Sequence, residues 1–143
     1  MDKLRHESWL AFFTISLIIA SAGCGGSQRY PVDGKVQFAD NRPATELVGA
    51  SIEFDPVEGK EGARGEVQAD GSFHMSTLKP GDGVAPGEYR VSIVPLPADL
   101  DRPSQRVLPR RYEDVNTSGL QVTVKAETNR ITLTVEKEIA DRK

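Results

Sequence analysis

The chain has 143 residues, with 18 lysines and arginines against 21 aspartates and glutamates, a formal charge of −3. That length suits one domain and is short for two of ordinary size. An acidic balance with only 6% aromatic residues argues against a nucleic-acid partner, which needs a basic face and stacking platforms.

Residues 1–23 read as an export signal, because Lys3 and Arg5 precede an apolar run from Leu10 to Ala20 and small residues follow. The run is too short for a bilayer span, which takes about 20 predominantly apolar residues. Ser21-Ala22-Gly23 before Cys24, the one cysteine of the chain, resembles the lipobox of bacterial lipoproteins. There the thiol is acylated and the cysteine becomes the new N-terminus; Ser21 stands where that motif prefers leucine. A lone cysteine in an exported chain has no internal disulfide partner, so lipid attachment at Cys24 gives it a purpose. Ala20-Ser21-Ala22 is also a site for the ordinary signal peptidase, which would release a soluble chain with a free thiol. On the lipidated reading, two or more acyl chains hold a protein stably, each buried methylene contributing about 0.8 kcal/mol. Residues 24–29 are then a short flexible tether, 30–137 the folded domain and 138–143 a polar tail.

Glycine, proline and turn pairs cut the domain into short alternating segments, the pattern of strands and not of helices. Val32–Phe38 sets Val32, Gly34, Val36 and Phe38 against Asp33, Lys35 and Gln37. Ala50–Asp55 puts Ile52 and Phe54 on one side. Arg64–Ala69 and Gly71–Met75 flank Asp70-Gly71, which predicts a hairpin with a type I′ turn and two paired strands. Gly87–Leu96 carries Tyr89, Val91 and Ile93 inward. A long proline-bearing loop follows, Leu96–Gly119, with a short helical turn expected around Ser104–Val107; loops of that length are often functional or mobile. Leu120, Val122 and Val124, then Ile131, Leu133 and Val135, complete seven strands, separated by a turn near Glu127-Thr128-Asn129. The expected fold is all-β, a single seven-stranded antiparallel Greek-key sandwich of prealbumin-like or immunoglobulin-like type.

Chemistry-bearing residues are sparse. His6 falls in the signal, and His74 alternates away from Phe73 and Met75 toward solvent, where a base or metal ligand would still need partners. Asp40-Asn41, Asp70 and Gly81-Asp82-Gly83 lack the ligand spacing of a calcium loop, and turn formation accounts for each. No glycine-rich loop joins a strand to a helix as a phosphate site requires. Trp9 lies in the signal, and Phe38, Phe54, Phe73 and Tyr89 sit on the apolar phase of their strands, leaving Tyr30 and Tyr112 as candidate exposed rings. Arg110, Arg111 and Tyr112 form the one basic and aromatic cluster that reads as a partner or ligand surface. The alternative is that Tyr112 packs on the sandwich edge while the arginines pair with Glu113 and Asp114.

"YPVDGKVQF", "ADGSFHMST", "KPGDGVAPGEYRVSIVP" and "PRRYEDVNTSGLQVTVKAETNRITLTV" together resemble the small lipoproteins of planctomycete-type bacteria that carry a carboxypeptidase-regulatory-like, or transthyretin-like, β-sandwich. The resemblance implies a seven-stranded prealbumin-like fold in the cell envelope and brings no catalytic residues. The resulting expectation is a non-enzymatic, membrane-anchored accessory or scaffold module with no cofactor, held by acyl chains such as palmitate on Cys24 and meeting an envelope protein partner. The competing expectation is a small-ligand or glycan-binding module using the 97–119 loop.

Overall fold

The structure, a computed structural model, describes residues 28–59, 61–96 and 106–138. Residues 1–27, on which the expected export signal, Cys24 and most of the expected tether fall, lie outside the described residues, as do the 97–105 part of the proline-bearing loop and residues 139–143. Seven strands run in order: β1 Val32–Phe38, β2 Ser51–Pro56, β3 Ala63–Glu66, β4 Ser72–His74, β5 Gly87–Val94, β6 Leu120–Val124 and β7 Asn129–Val135. Among the described residues there is no α-helix, and none is long and apolar enough to cross a membrane.

The strands form a three-stranded sheet in the order β4-β1-β7 and a four-stranded sheet in the order β3-β2-β5-β6. Period-two alternation decides which side each sheet buries. Val32, Val36, Phe38, Phe73, Leu133 and Val135 from the first sheet meet Ile52, Phe54, Tyr89, Val91, Ile93 and Val124 from the second in one core. Phe54 and Tyr89 rings lie 5.8 Å apart and tilted, within the range where aromatic pairs attract beyond simple burial. All four aromatic residues assigned to the core by alternation are buried.

Two features depart from the expected antiparallel arrangement. Four of the five pairings are antiparallel, but β1 and β7 pair in parallel over seven residues, from Val32 with Asn129 to Phe38 with Val135. Parallel neighbours need a long crossover, and here everything between the two strands supplies it. The Asp70-Gly71 turn also differs. Gly71 alone takes positive φ, at 80°, and its N–H closes on Gln68 O while Gln68 N–H reaches Ser72 O. This is a three-residue loop with a bulge glycine, not a type I′ turn. The expected pairing of the flanking segments is kept only at Gln68–Ser72 and at an antiparallel bridge between Arg64 and Ser76: the ladder partner of β3 is β2 and that of β4 is β1, so the turn carries the chain from one sheet to the other.

Carboxylates hold the turns. Asp70 Oδ1 accepts from Ser72 N–H and Oγ–H at 2.9 and 2.6 Å, and these bonds hold its pKa below the usual carboxylate value. Asp82 gathers the backbone N–H groups of Thr77, Leu78 and Lys79 at 2.7–3.2 Å. Desolvation pushes its pKa up, but those three donors outweigh it and leave the net shift downward. Arg42 does the same for Asp40. Carboxylates with depressed folded-state pKa values contribute stability that is fully present above the unfolded value and disappears as pH falls through the folded one. The thermal midpoint is therefore expected to stay level from neutral pH to about 4, near the ordinary aspartate pKa, and to drop below it. Asp82→Asn should melt lower at neutral pH and show a flatter acid limb; an acid limb as steep as wild type would count against this assignment.

The described half of the proline-bearing loop is not a loose excursion. Leu108 is fully buried, Tyr112 is 3% exposed, and Glu138 N–H bonds to Val107 O. The segment packs on β5 and is tied to the chain just past β7 through Tyr112 and Val107. A 3-10 turn lies at Arg110–Glu113, where Tyr112 enters the core; the helical turn expected around Ser104–Val107 falls partly outside the described residues.

Candidate functional site

Arg110, Arg111 and Tyr112 are brought together, but not as a surface. The 3-10 turn points Tyr112 inward, and its hydroxyl oxygen accepts from Arg111 Nη2 and from Glu136 N–H, both at 3.0 Å. Arg111 also pairs with Glu136 at 2.8 Å, and its guanidinium carbon sits 4.8 Å from the Tyr112 ring centroid, a cation–π contact. Glu113 pairs with Arg106, and Asp114 accepts from Asn116. The expected pairing of the arginines with Glu113 and Asp114 is thus replaced, and Arg110 makes no ion pair among the described residues. A buried ring offers no platform for a sugar, so the ligand-binding use of Tyr112 is corrected: the residue is a core plug.

Polar side chains converge instead on the outer face of the β4-β1-β7 sheet. Register places Asp33 between His74 on β4 and Arg130 on β7, and Lys35 between Ser72 and Thr132 one row along. These six residues surround an open depression of about 440 Å³. His74 Nδ1 and Asp33 Oδ1 are 2.6 Å apart on an exposed surface. Alternation had His74 facing solvent, which it does; its partner comes from a strand 41 residues away and has no local signal. Ser72 shares the face with His74, but its hydroxyl donates to Asp70, so histidine, aspartate and serine are not linked in the relay that nucleophilic catalysis needs. Among the described residues no three His, Cys, Asp or Glu cluster as a metal set.

The same sheet ends in an open edge. Asn129 N–H bonds to Pro31 O, and Ala39 N–H to Val135 O, so odd-numbered β7 residues turn their backbone groups toward β1 and even-numbered ones away from it. Glu136 N–H, on the outward side, is taken by Tyr112. Among the described residues, Arg130, Thr132 and Thr134 have no strand beyond them. Natural edges are blunted by short length, proline, bulges or charge; β7 has seven residues, no proline and one charged side chain, Arg130. Half-buried Leu120, Val122 and Ile131 line this side of the sandwich. The opposite side is sealed, since Arg64 of β3 exchanges two backbone hydrogen bonds with Ser76 at 2.8 and 2.9 Å.

No protein-family model matches the sequence, and no curated protein does. Among solved structures the chain is similar to a DUF3823 family protein from Parabacteroides merdae, with 18% identity and a TM-score of 0.44 over 78% of this chain and 48% of that one. The chain thus spans about half the length of that protein.

Proposed function

We propose that the chain is a bacterial envelope lipoprotein, anchored by acyl chains on Cys24, that displays a non-catalytic prealbumin-like Greek-key sandwich as an interaction module. The sequence around Cys24 supports the anchor, and the exposed β7 edge is the observation that carries the module reading. An extended segment of an envelope protein adds to β7 through the outward backbone groups of Arg130, Thr132 and Thr134, as in strand addition generally. Side chains of that segment cover Leu120, Val122 and Ile131 on one face and meet the exposed Arg130, Thr132 and Thr134 across the other.

Intact-mass measurement of the protein purified from its membranes tests the anchor: diacyl or triacyl mass beginning at Cys24 is expected, and an unmodified terminus elsewhere would refute it. Thr132→Pro tests the edge. The Thr132 N–H faces away from β1, so proline removes no ladder bond within the domain, as is typical of edge positions. The variant should melt close to wild type yet lose the partner recovered by crosslinking in the envelope. Undiminished recovery would place the partner elsewhere.

A further inference from the structure

Four large apolar side chains stand well exposed among the described residues: Val48 at 53%, Val57 at 50%, Leu78 at 70% and Leu96 at 63%. Val57 lies at one end of the sandwich and Val48 with Leu96 at the other, while Leu78 stands on the Thr77–Pro80 stretch, which borders a depression running along β3 to Gly49 and Ser51. Val57 N–H bonds to Glu88 O at the start of β5. Val48 and Leu96 lie past its other end, where a Cβ built on Gly49 would sit 3.2 Å from Leu96 Cγ. Glu88 and Val94 alone are roughly 20 Å apart at strand rise.

The Val57 and Leu78 loops share a clamp. Arg29 Nη2 pairs with Glu61 at 2.8 Å and its Nη1 lies 3.6 Å from Asp82. Glu61 belongs to the loop that carries Val57, and Asp82 ties down the backbone of Thr77, Leu78 and Lys79. Tyr30 adds two backbone hydrogen bonds to Val84, at 2.9 Å each. The chain therefore enters the domain between these two loops. Leu78 projects from a loop whose backbone is fixed by three hydrogen bonds, so its exposure is built in.

Four residues lie between Cys24 and Arg29, and the five steps reach at most about 18 Å fully extended. From this we infer that Leu78 and Val57 are a membrane-contacting foot: with Cys24 acylated, the short tether brings these loops to the bilayer surface, and the two side chains enter the interface. The inference rests on the lipid-anchored reading. It makes the bilayer itself the second partner of the domain, and it stands β7 upright, with Asn129 at the lipid end beside Pro31 and Val135 at the far one. The insertion itself is apolar: the Arg29 charge is met by Glu61 and Asp82, and the flanking Lys79 and Glu58 carry opposite signs, so on uncharged lipid added salt should change it little.

The test uses the full chain, exported and processed in a bacterium, then reconstituted in phosphatidylcholine vesicles with and without brominated acyl chains. Trp9 leaves with the signal, so Leu78→Trp introduces the one tryptophan of the processed protein, at a position too exposed for the change to threaten folding. Its emission should shift to the blue and be quenched several-fold more than that of Val48→Trp at the far end, equally at low and high salt. Intact mass on the same samples reports acylation. An acylated Leu78→Trp protein quenched no more than Val48→Trp overturns the foot and leaves the anchor standing. A processed chain with no acyl mass overturns the anchor, and the foot falls with it.

Discussion

Gly34→Ala is expected to destabilise the domain by about 3 kcal/mol, the upper part of the usual range for overpacking, although alanine suits a strand better than glycine in general. The backbone at Gly34 is not in the left-handed region, so the penalty is one of space. A Cβ there would fall inside the Phe73 ring, 2.7 Å from Cε1, and 2.5 Å from the Ile131 carbonyl oxygen. Phe73 is fully buried and has nowhere to swing, while Ile131 is the register partner of Gly34 in the parallel β1–β7 ladder and moves only if that ladder opens. For a domain of this size the loss corresponds to a drop of roughly 10–15 °C in thermal midpoint. Phe73→Leu relieves the ring clash but not the carbonyl clash. In that background Gly34→Ala should cost about half as much, a coupling in the range expected for residues in contact. A Gly34→Ala protein as stable as wild type would mean that Phe73 does not lie over β1.

The same glycine shows where sequence reading succeeds and where it stops. Alternation placed Gly34 on the inner phase with Val32, Val36 and Phe38, and β1 runs over the residues that alternation gave it. Every other strand appears within a few residues of its expected position, because side-chain period is a local property of the chain. Which strand lies beside which is not local. The parallel partner of β1 is β7, almost 100 residues later; the register Asp33–His74 spans 41 residues. Turn chemistry at Asp70-Gly71 marked the reversal correctly, yet the destination of the two strands depended on two separate sheets competing for them. For the site, Cys24 is legible only as a sequence pattern, and the open β7 edge becomes visible only once sheet order is known.

Tyr112→Ala should cost about 3–5 kcal/mol, the usual range for removing a large aromatic from a core, and should do so without touching any binding activity that survives in the folded fraction. The ring is buried in the same core as Leu108, and its hydroxyl ties the 3-10 turn to the chain just past β7 through Glu136 N–H. Tyr112→Phe keeps the ring and loses that tie, leaving a partly buried N–H short of an acceptor at a cost of about 1 kcal/mol. Arg111→Ala belongs with it, since Arg111 holds both the hydroxyl and Glu136. Arg110→Ala, at an exposed position with no ion pair among the described residues, should stay within about 0.5 kcal/mol of wild type. Denaturant melts of the four variants give the ordering directly. A ligand surface built on Arg110, Arg111 and Tyr112 requires the reverse pattern, in which all four melt like wild type and partner or glycan capture is lost. Neighbouring residues in the chain look alike as a basic and aromatic cluster, but one turn of 3-10 helix sends Tyr112 into the core and leaves Arg110 in solvent, and stability is the property that separates them.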